Sequence, residues 1–426
     1  VAGRFAGRGG FDPHPFPPEF NHDARAGGSV ETPYPYETLD ALVGKVLQIQ
    51  DITLGTAKSP YLVRYRGQLR GESEAAYEQL AGWLKTYQIT PLFRWDDGQH
   101  SIQLIPGLPK PGPSNPRINL LLAVLTFFSV LLTGGLYGLG PEGLPADPLP
   151  AVVAIITNGW PFAVSMLGIL ACHEFGHYLM GRYHGVHVSL PYFIPFPFSQ
   201  FGTMGAFINM KEPPKNRKVL LDIGIAGPLA GLGVAVPVLV LGLSLSSLGP
   251  LQTAPGQMIQ LEGNSILYLL AKLAVFGQLL PAPAGYGDVS PLLYWLRYFF
   301  TSTPLPVGGM DVMLHPVAWA GWAGLLVTTL NLIPAGQLDG GHVLYVLLGR
   351  ERAKRILPFI LVALLLLGFL WAGWWLWAGL IFLLGRAYAE PLDQITPLDN
   401  RRKALAVLAL VVFILTFIPV PFVLIG

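Results

Sequence analysis

The sequence predicts a polytopic α-helical membrane protein of six or seven spans, with a small soluble α/β domain at its N-terminal end. Three observations carry this. Hydrophobic residues make up 52% of the 426 residues and charged residues 12%, against about 25% charged in an ordinary soluble domain. Long apolar runs recur from residue 118 onward, and none precedes it. Basic residues gather in alternate loops between those runs, as membrane orientation requires.

The elements follow in order. Residues 1–36 are rich in Gly, Pro and Arg ("FDPHPFPPEFNHD"). They hold too few apolar side chains to offset chain entropy and are expected to be disordered. With no apolar run before residue 118, no secretory signal peptide is expected in this chain. Residues 37–106 read as the soluble domain. "ETLDALVGKVL" is helical in pattern and "YLVRYRGQL" alternates like a strand. In "SEAAYEQLAGWLKTYQ", Ala76, Leu80, Trp83, Leu84 and Tyr87 fall at helical spacing. "TPLFRW" and "HSIQLIP" flank Asp96-Asp97-Gly98, a hairpin signal. "GLPKPGPSNP" begins a linker, 107–117, and residues 118–426 form the membrane-embedded domain.

The apolar runs cover 118–139, 151–181, 219–247, 316–336, 356–385 and 404–425. A weaker run, 265–280, is short and contains Lys272, so it reads as interfacial or re-entrant. Residues 181–218 carry five basic residues and one acid, and 349–355 carry four and one, whereas 140–150 carry no base. The soluble domain and both basic loops are therefore placed in the cytoplasm. A single crossing by 356–385 would export the basic segment "RAYAEPLDQITPLDNRRK". A tight hairpin within 356–385 would return it, with short arms. The net charge of +2 gives no reason to expect a nucleic-acid partner. The one cysteine, Cys172, excludes an intrachain disulfide and a cysteine-based zinc site, and reads as a small buried side chain.

The chemistry sits in "LGILACHEFGHYLMG", inside the second run. His173 and His177 lie four residues apart, on one helix face, where both imidazoles can bind one zinc ion. Glu174 follows the first ligand and is placed to act as the general base, in the H-E-x-x-H pattern of metalloproteases. Two histidines bonded to backbone carbonyls would explain the motif in a soluble bundle. Within an apolar run, uncompensated ionisable groups are rare and mark function.

A catalytic zinc site takes three protein ligands. Asp339, in "NLIPAGQLDGGH", is the leading third candidate, because its span and that of His173 both run inward and end at similar depth. Asp222 is the rival, although a charge at a helix start accounts for it adequately. His342, one turn past Asp339, is read as structural.

These pieces resemble the site-2 proteases, the intramembrane zinc metalloproteases. "HEFGH", "GTMGAFINM", "GIAGPLAG" and "NLIPAGQLDGGH" occur in family order across most of 118–342. The likeness is to the bacterial and plastid branch with an N-terminal soluble domain. No PDZ-like domain or C-terminal regulatory pair is legible. The resemblance implies that His173, His177 and Asp339 bind zinc and that Glu174 is the base. It implies a role in holding substrate for Asn331, for which a helix-packing hydrogen bond is an equal alternative. It also implies a bacterial plasma membrane and a transmembrane substrate such as an anti-sigma factor or a tethered transcription factor.

In "PYFIPFPFSQFGTMGAFINM" the prolines exclude an ordinary helix. Gly202, Thr203 and Gly205 fall where the segment can form an exposed edge for an unwound substrate strand. The alternative is a cytoplasmic loop resting on the bilayer through its phenylalanines. "GIAGPLAG" is a small-residue helix face suited to close packing. An ion- or proton-coupled transporter would need further intramembrane charges, and few are present. An inactive helix-binding scaffold would not need Glu174.

Overall fold

The computed structural model describes residues 34–425 except 57, 140–142, 252–258, 306–307 and 386–387. The segment 1–36, expected to be disordered, lies almost wholly outside the described residues.

The N-terminal unit, expected from the sequence to be soluble, runs α1 (Tyr36–Val46), β1 (Leu47–Leu54), β2 (Val63–Leu69), α2 (Ser73–Leu84), β3 (Ile89–Asp96), β4 (Gln99–Pro106). The four strands form an antiparallel sheet in the order β1-β2-β4-β3. Its core joins the apolar face of each helix, Leu39 and Val43 from α1 and Leu80 and Leu84 from α2, to Val63, Tyr65, Phe93, Ile102 and Leu104. The hairpin read from Asp96-Asp97-Gly98 joins β3 to β4.

Three described helices are long and apolar enough to cross a membrane: α3 (Pro116–Tyr137), α4 (Pro148–Tyr183) and α5 (Arg217–Ser244). A fourth, α8 (Pro316–Asn331), has sixteen residues and is packed on nearly every side, with Ala318, Ala320, Trp322, Ala323 and Leu325 fully buried. Its short length suits an element surrounded by protein.

Between α4 and α5 the chain forms an antiparallel hairpin, β5 (Tyr192–Pro195) and β6 (Thr203–Phe207). It lies along α3. The Asn119 amide donates to the carbonyls of Leu190 (2.9 Å) and Pro191 (3.0 Å). Ten residues further along α3, about 15 Å at helical rise, the Ser129 hydroxyl donates to the Gly202 carbonyl at 2.6 Å. Phe201, beside the tip, packs on Trp319 and Trp322 near the start of α8. The segment that breaks helical pattern is thus a hairpin packed among the long helices.

Between α5 and α8 the chain forms β7 (Ser247–Pro250), β8 (Ile259–Glu262), α6 (Ile266–Phe276), α7 (Pro291–Thr301) and β9 (Met310–Met313). β7 pairs with β9, and β8 with the C-terminal strand β10 (Phe422–Ile425). The weak run holds only α6. It sits against the flank of α8, where the Trp322 indole donates to the Gly263 carbonyl at 2.8 Å. Lys272 is fully buried there. It lies 3.5 Å from Glu262 and 3.7 Å from Asp311, with its ammonium 4.3 Å from the Tyr268 ring centre.

The last third departs from the apolar pattern twice. The run 356–385 is two helices, α10 (Arg350–Leu367) and α11 (Gly373–Leu384), folded back on each other. The segment after them returns to the N-terminal unit. The Phe93 N–H donates to the Leu392 carbonyl and the Gln394 N–H to the Phe93 carbonyl, each at 3.0 Å. Arg94 donates to the carbonyls of Pro391 and Leu392. The final run, read as 404–425, is helical only through α12 (Asn400–Thr416). Pro419 and Pro421 cannot continue a helix, and the remaining residues form β10.

Candidate metal centre

Helix α4 carries His173, Glu174 and His177 on its packed side, 3%, 4% and 6% exposed. The i, i+4 spacing stacks both rings over the same turn, with ring centres 5.0 Å apart. The His177 Nδ1–H donates to the Ile223 carbonyl of α5 at 2.7 Å. With the proton on Nδ1, Nε2 is left with a free lone pair, the usual arrangement of a metal-ligating histidine.

Asp339 opens α9 (Asp339–Leu348). The chain leaves α8, turns through "LIPAGQL" and starts α9 against its own preceding carbonyls. A Cβ on Gly340 would stand 2.0 Å from the Leu332 carbonyl oxygen. Only glycine allows that approach, so the Asp-Gly-Gly run places the carboxylate and permits the turn together.

The two histidine Nε2 atoms are 3.2 Å apart. Asp339 Oδ2 lies 3.4 Å from one and 3.3 Å from the other. Three ligands at tetrahedral angles and metal distances near 2.05 Å stand about 3.3 Å from one another. The triangle therefore has the size a zinc ion needs, and two imidazoles with a carboxylate are chemically suited to it. Without a cation, buried lone pairs would face each other here, which is unfavourable. Among the described residues this is the one group of three or more His, Cys, Asp or Glu whose ligand atoms all lie within 4.8 Å.

The other candidates fall at varied places. Asp222 is held by His184 Nε2 at 2.9 Å and by Arg402 at 2.9 and 2.6 Å, which excludes it from the centre. Glu174 faces the backbone of Ile208, directly after β6. The Asn331 amide lies 3.2 Å from His173 Nε2, at the rim of the cluster. Gly202, Thr203 and Gly205 are not at the cluster. They occupy the tip side of the hairpin, where Thr203 Oγ1 donates to the Ile194 carbonyl and accepts the Gly205 N–H. His342 is buried, and its Nδ1 lacks a partner among the described residues. Cys172 is half-exposed, not buried as expected, because it points off the packed side that its neighbour His173 occupies.

Sequence reasoning missed the part played by α5. Its small-residue face, "GIAGPLAG", lets the helix come up against the ligands, and a Cβ on Gly227 would stand 2.0 Å from His177 Nε2. The motif was visible, but its partner was not. The Ile223 carbonyl had no side-chain signal at all.

Comparison with known proteins agrees with this geometry. Residues 161–368 match Peptidase family M50. Over 400 residues, 91% of this chain, the sequence is 29% identical to the probable chloroplastic zinc metalloprotease EGY2 of Arabidopsis thaliana, covering 66% of that protein. It is 29% identical over 292 residues to the probable chloroplastic zinc metalloprotease EGY1 of the same plant, covering 67% of this chain and 47% of the relative. For EGY1 of Oryza sativa subsp. japonica the identity is 30% over 335 residues, covering 73% and 52%. The chain thus spans about half to two thirds of the length of these relatives. With the His-Glu-x-x-His helix, the distant aspartate and the β5–β6 hairpin in place, the chain carries a Peptidase family M50 match over residues 161–368 and is similar, over most of its length, to plastid-type zinc metalloproteases of the site-2 protease kind.

Proposed function

We propose that this protein is an intramembrane zinc metalloprotease that hydrolyses a peptide bond in or near a transmembrane segment of a membrane-anchored protein. The observation that carries the reading is the buried ligand triangle with sides of 3.2, 3.3 and 3.4 Å. The relatives' names, which describe them as probable zinc metalloproteases, support it. His173, His177 and Asp339 would hold the ion. Zinc bound there supplies a Lewis acid that acidifies water and polarises the scissile carbonyl.

The chain's own groups do the rest. Glu174 takes a proton from water and passes it to the leaving amine. Its carboxylate faces the backbone of Ile208. The free edge of β6 receives the unwound substrate strand, with main-chain hydrogen bonds giving register. Thr203 and the turns at Gly202 and Gly205 shape that edge, and the Asn331 amide holds the substrate backbone beside His173. Because β6 runs straight into Ile208, a strand added to it is delivered toward Glu174.

The organisation we propose is a soluble domain at 37–106, a linker at 107–117 and a membrane domain beyond. Seven segments enter or cross the bilayer: α3, α4, α5, α8, α10, α11 and α12. The paired strands β8 and β10 then share the outer side. The soluble unit, 184–216 and 388–399 share the inner side, where the loop charges place them. The relatives are chloroplastic, so we assign a side and not a particular membrane. An anti-sigma factor or tethered transcription factor is the substrate type we propose.

The test is metal analysis of the purified protein together with cleavage of a candidate transmembrane substrate. Glu174→Gln should keep zinc and fold but lose cleavage, since only proton transfer is removed. Near-normal cleavage by that variant would overturn the mechanism.

A further inference from the structure

Two of the places where the soluble unit touches the membrane domain matter here, and one leads to the metal centre. In α2, the two carboxylate oxygens of Glu74 accept separately. Oε1 takes the Asn216 amide at 2.9 Å and Oε2 takes the Lys218 ammonium at 2.7 Å. Asn216 is 1% exposed and is the N-cap of α5, its Oδ1 accepting the Val219 N–H at 3.0 Å. Glu74 therefore fixes the amide plane that caps α5. Two turns further along the same helix, the Ile223 carbonyl accepts from His177 Nδ1 at 2.7 Å. One turn beyond, Gly227 backs onto the His177 ring. The second place is Asp393. It is fully buried, accepts from Ser73 Oγ at 3.0 Å and takes the N–H groups of Ile395 and Thr396. That place also meets the start of α5 through backbone, the Asp393 N–H donating to the Lys215 carbonyl at 2.8 Å, but it leaves the Asn216 side-chain amide to Glu74.

We propose that Glu74 is a positioning residue for the metal centre. Through Asn216 it sets the start of α5, and so the carbonyl that orients His177. This rests on the zinc-site reading above. The soluble domain on this view is part of the support of a ligand, and anything that lifts α2 away loosens the metal. The physical basis is that outer partners of a ligating histidine set its tautomer and direction. A helix start is rigid only if its cap is held.

The experiment uses the full-length protein loaded with zinc and measures the rate of metal loss to an excess of chelator, with cleavage kinetics alongside. Glu74→Ala should release zinc roughly three- to tenfold faster, less than the roughly 10- to 100-fold of a direct outer partner because Glu74 acts one step further out. It should lower kcat with KM little changed. Glu74→Gln, which can still accept from Asn216, should stay close to wild type. Asn216→Asp keeps the cap oxygen but repels Glu74, and should behave like Glu74→Ala. Glu78→Ala is the control. It removes the Lys215 pair in the same seam, one residue before the cap and without a bond to the Asn216 side chain, and should release zinc at the wild-type rate.

Unchanged release from Glu74→Ala and Asn216→Asp overturns the proposal. So does equal acceleration by Glu78→Ala, which would mean that docking in general matters and the cap does not. If wild-type protein holds no zinc at all, it is the zinc-site reading that has failed.

Discussion

Gly227→Ala places one methyl group where the structure leaves no room. A Cβ there stands 2.0 Å from His177 Nε2, 2.3 Å from Cδ2 and 2.5 Å from Cε1. Ordinary contact begins near 3.4 Å, so the ring must retreat by about 1.4 Å. Zinc–nitrogen distances tolerate about 0.2 Å. The ring cannot retreat and still close a triangle with sides of 3.2–3.4 Å. It is also tied on its far side to the Ile223 carbonyl. The fold itself loses less, because overpacking of this kind costs about 1–3 kcal/mol. The expected variant is therefore folded, inserted in the membrane and depleted of zinc. The assay is zinc per mole of protein by elemental analysis, beside the melting temperature. Gly233→Ala on the same helix meets nothing within 4 Å and should retain zinc fully. A Gly227→Ala protein with one tightly bound zinc and normal cleavage would refute both the ligand role of His177 and the support assigned to α5.

Further outcomes concern the third ligand, the sidedness and the seam. Asp339→Ala should lose most zinc, whereas Asp222→Ala should keep it and lose only the ion pairs to His184 and Arg402; elemental analysis of both variants decides, and the reverse pattern would move the site. With Cys172 replaced, cysteines at Arg352 and Arg401 should react with an impermeant thiol reagent from one side and a cysteine at Asp288 from the other; opposite labelling of positions 352 and 401 would mean that 356–385 crosses once. The Lys218 hydrogen bond to Glu74 holds its carboxyl below the ordinary value of 4.5. A depressed acid stabilises above that ordinary value and stops doing so as pH falls through its own, lower one. Pepsin cutting in the linker, taken relative to an unstructured peptide at each pH, should thus be slow at pH 4.5 and rise as pH falls further; a flat ratio would exclude Glu74 as a docking charge.

The sequence by itself determined what is local or periodic. Composition and run length gave the membrane class, because burial in lipid demands an apolar exterior over a fixed thickness. Helical spacing gave His173, Glu174 and His177, because residues four apart share a face whatever surrounds them. Prolines gave the non-helical character of 191–207. Only the tertiary structure decided the rest. Asp339 is 166 positions from His173, and no pattern along the chain states which carboxylate a distant helix will meet. The apolar run 356–385 is equally consistent with one crossing or a hairpin, since hydropathy records solvent and not direction. Its reversal is decided by where 391–396 finds hydrogen-bond partners, on Phe93 and Ser73. The Ile223 carbonyl that orients His177 belongs to the backbone, which every residue has, so only packing of α5 on α4 could select it. A ligand's type is written in its side chain; its partners are written in the contacts that folding makes.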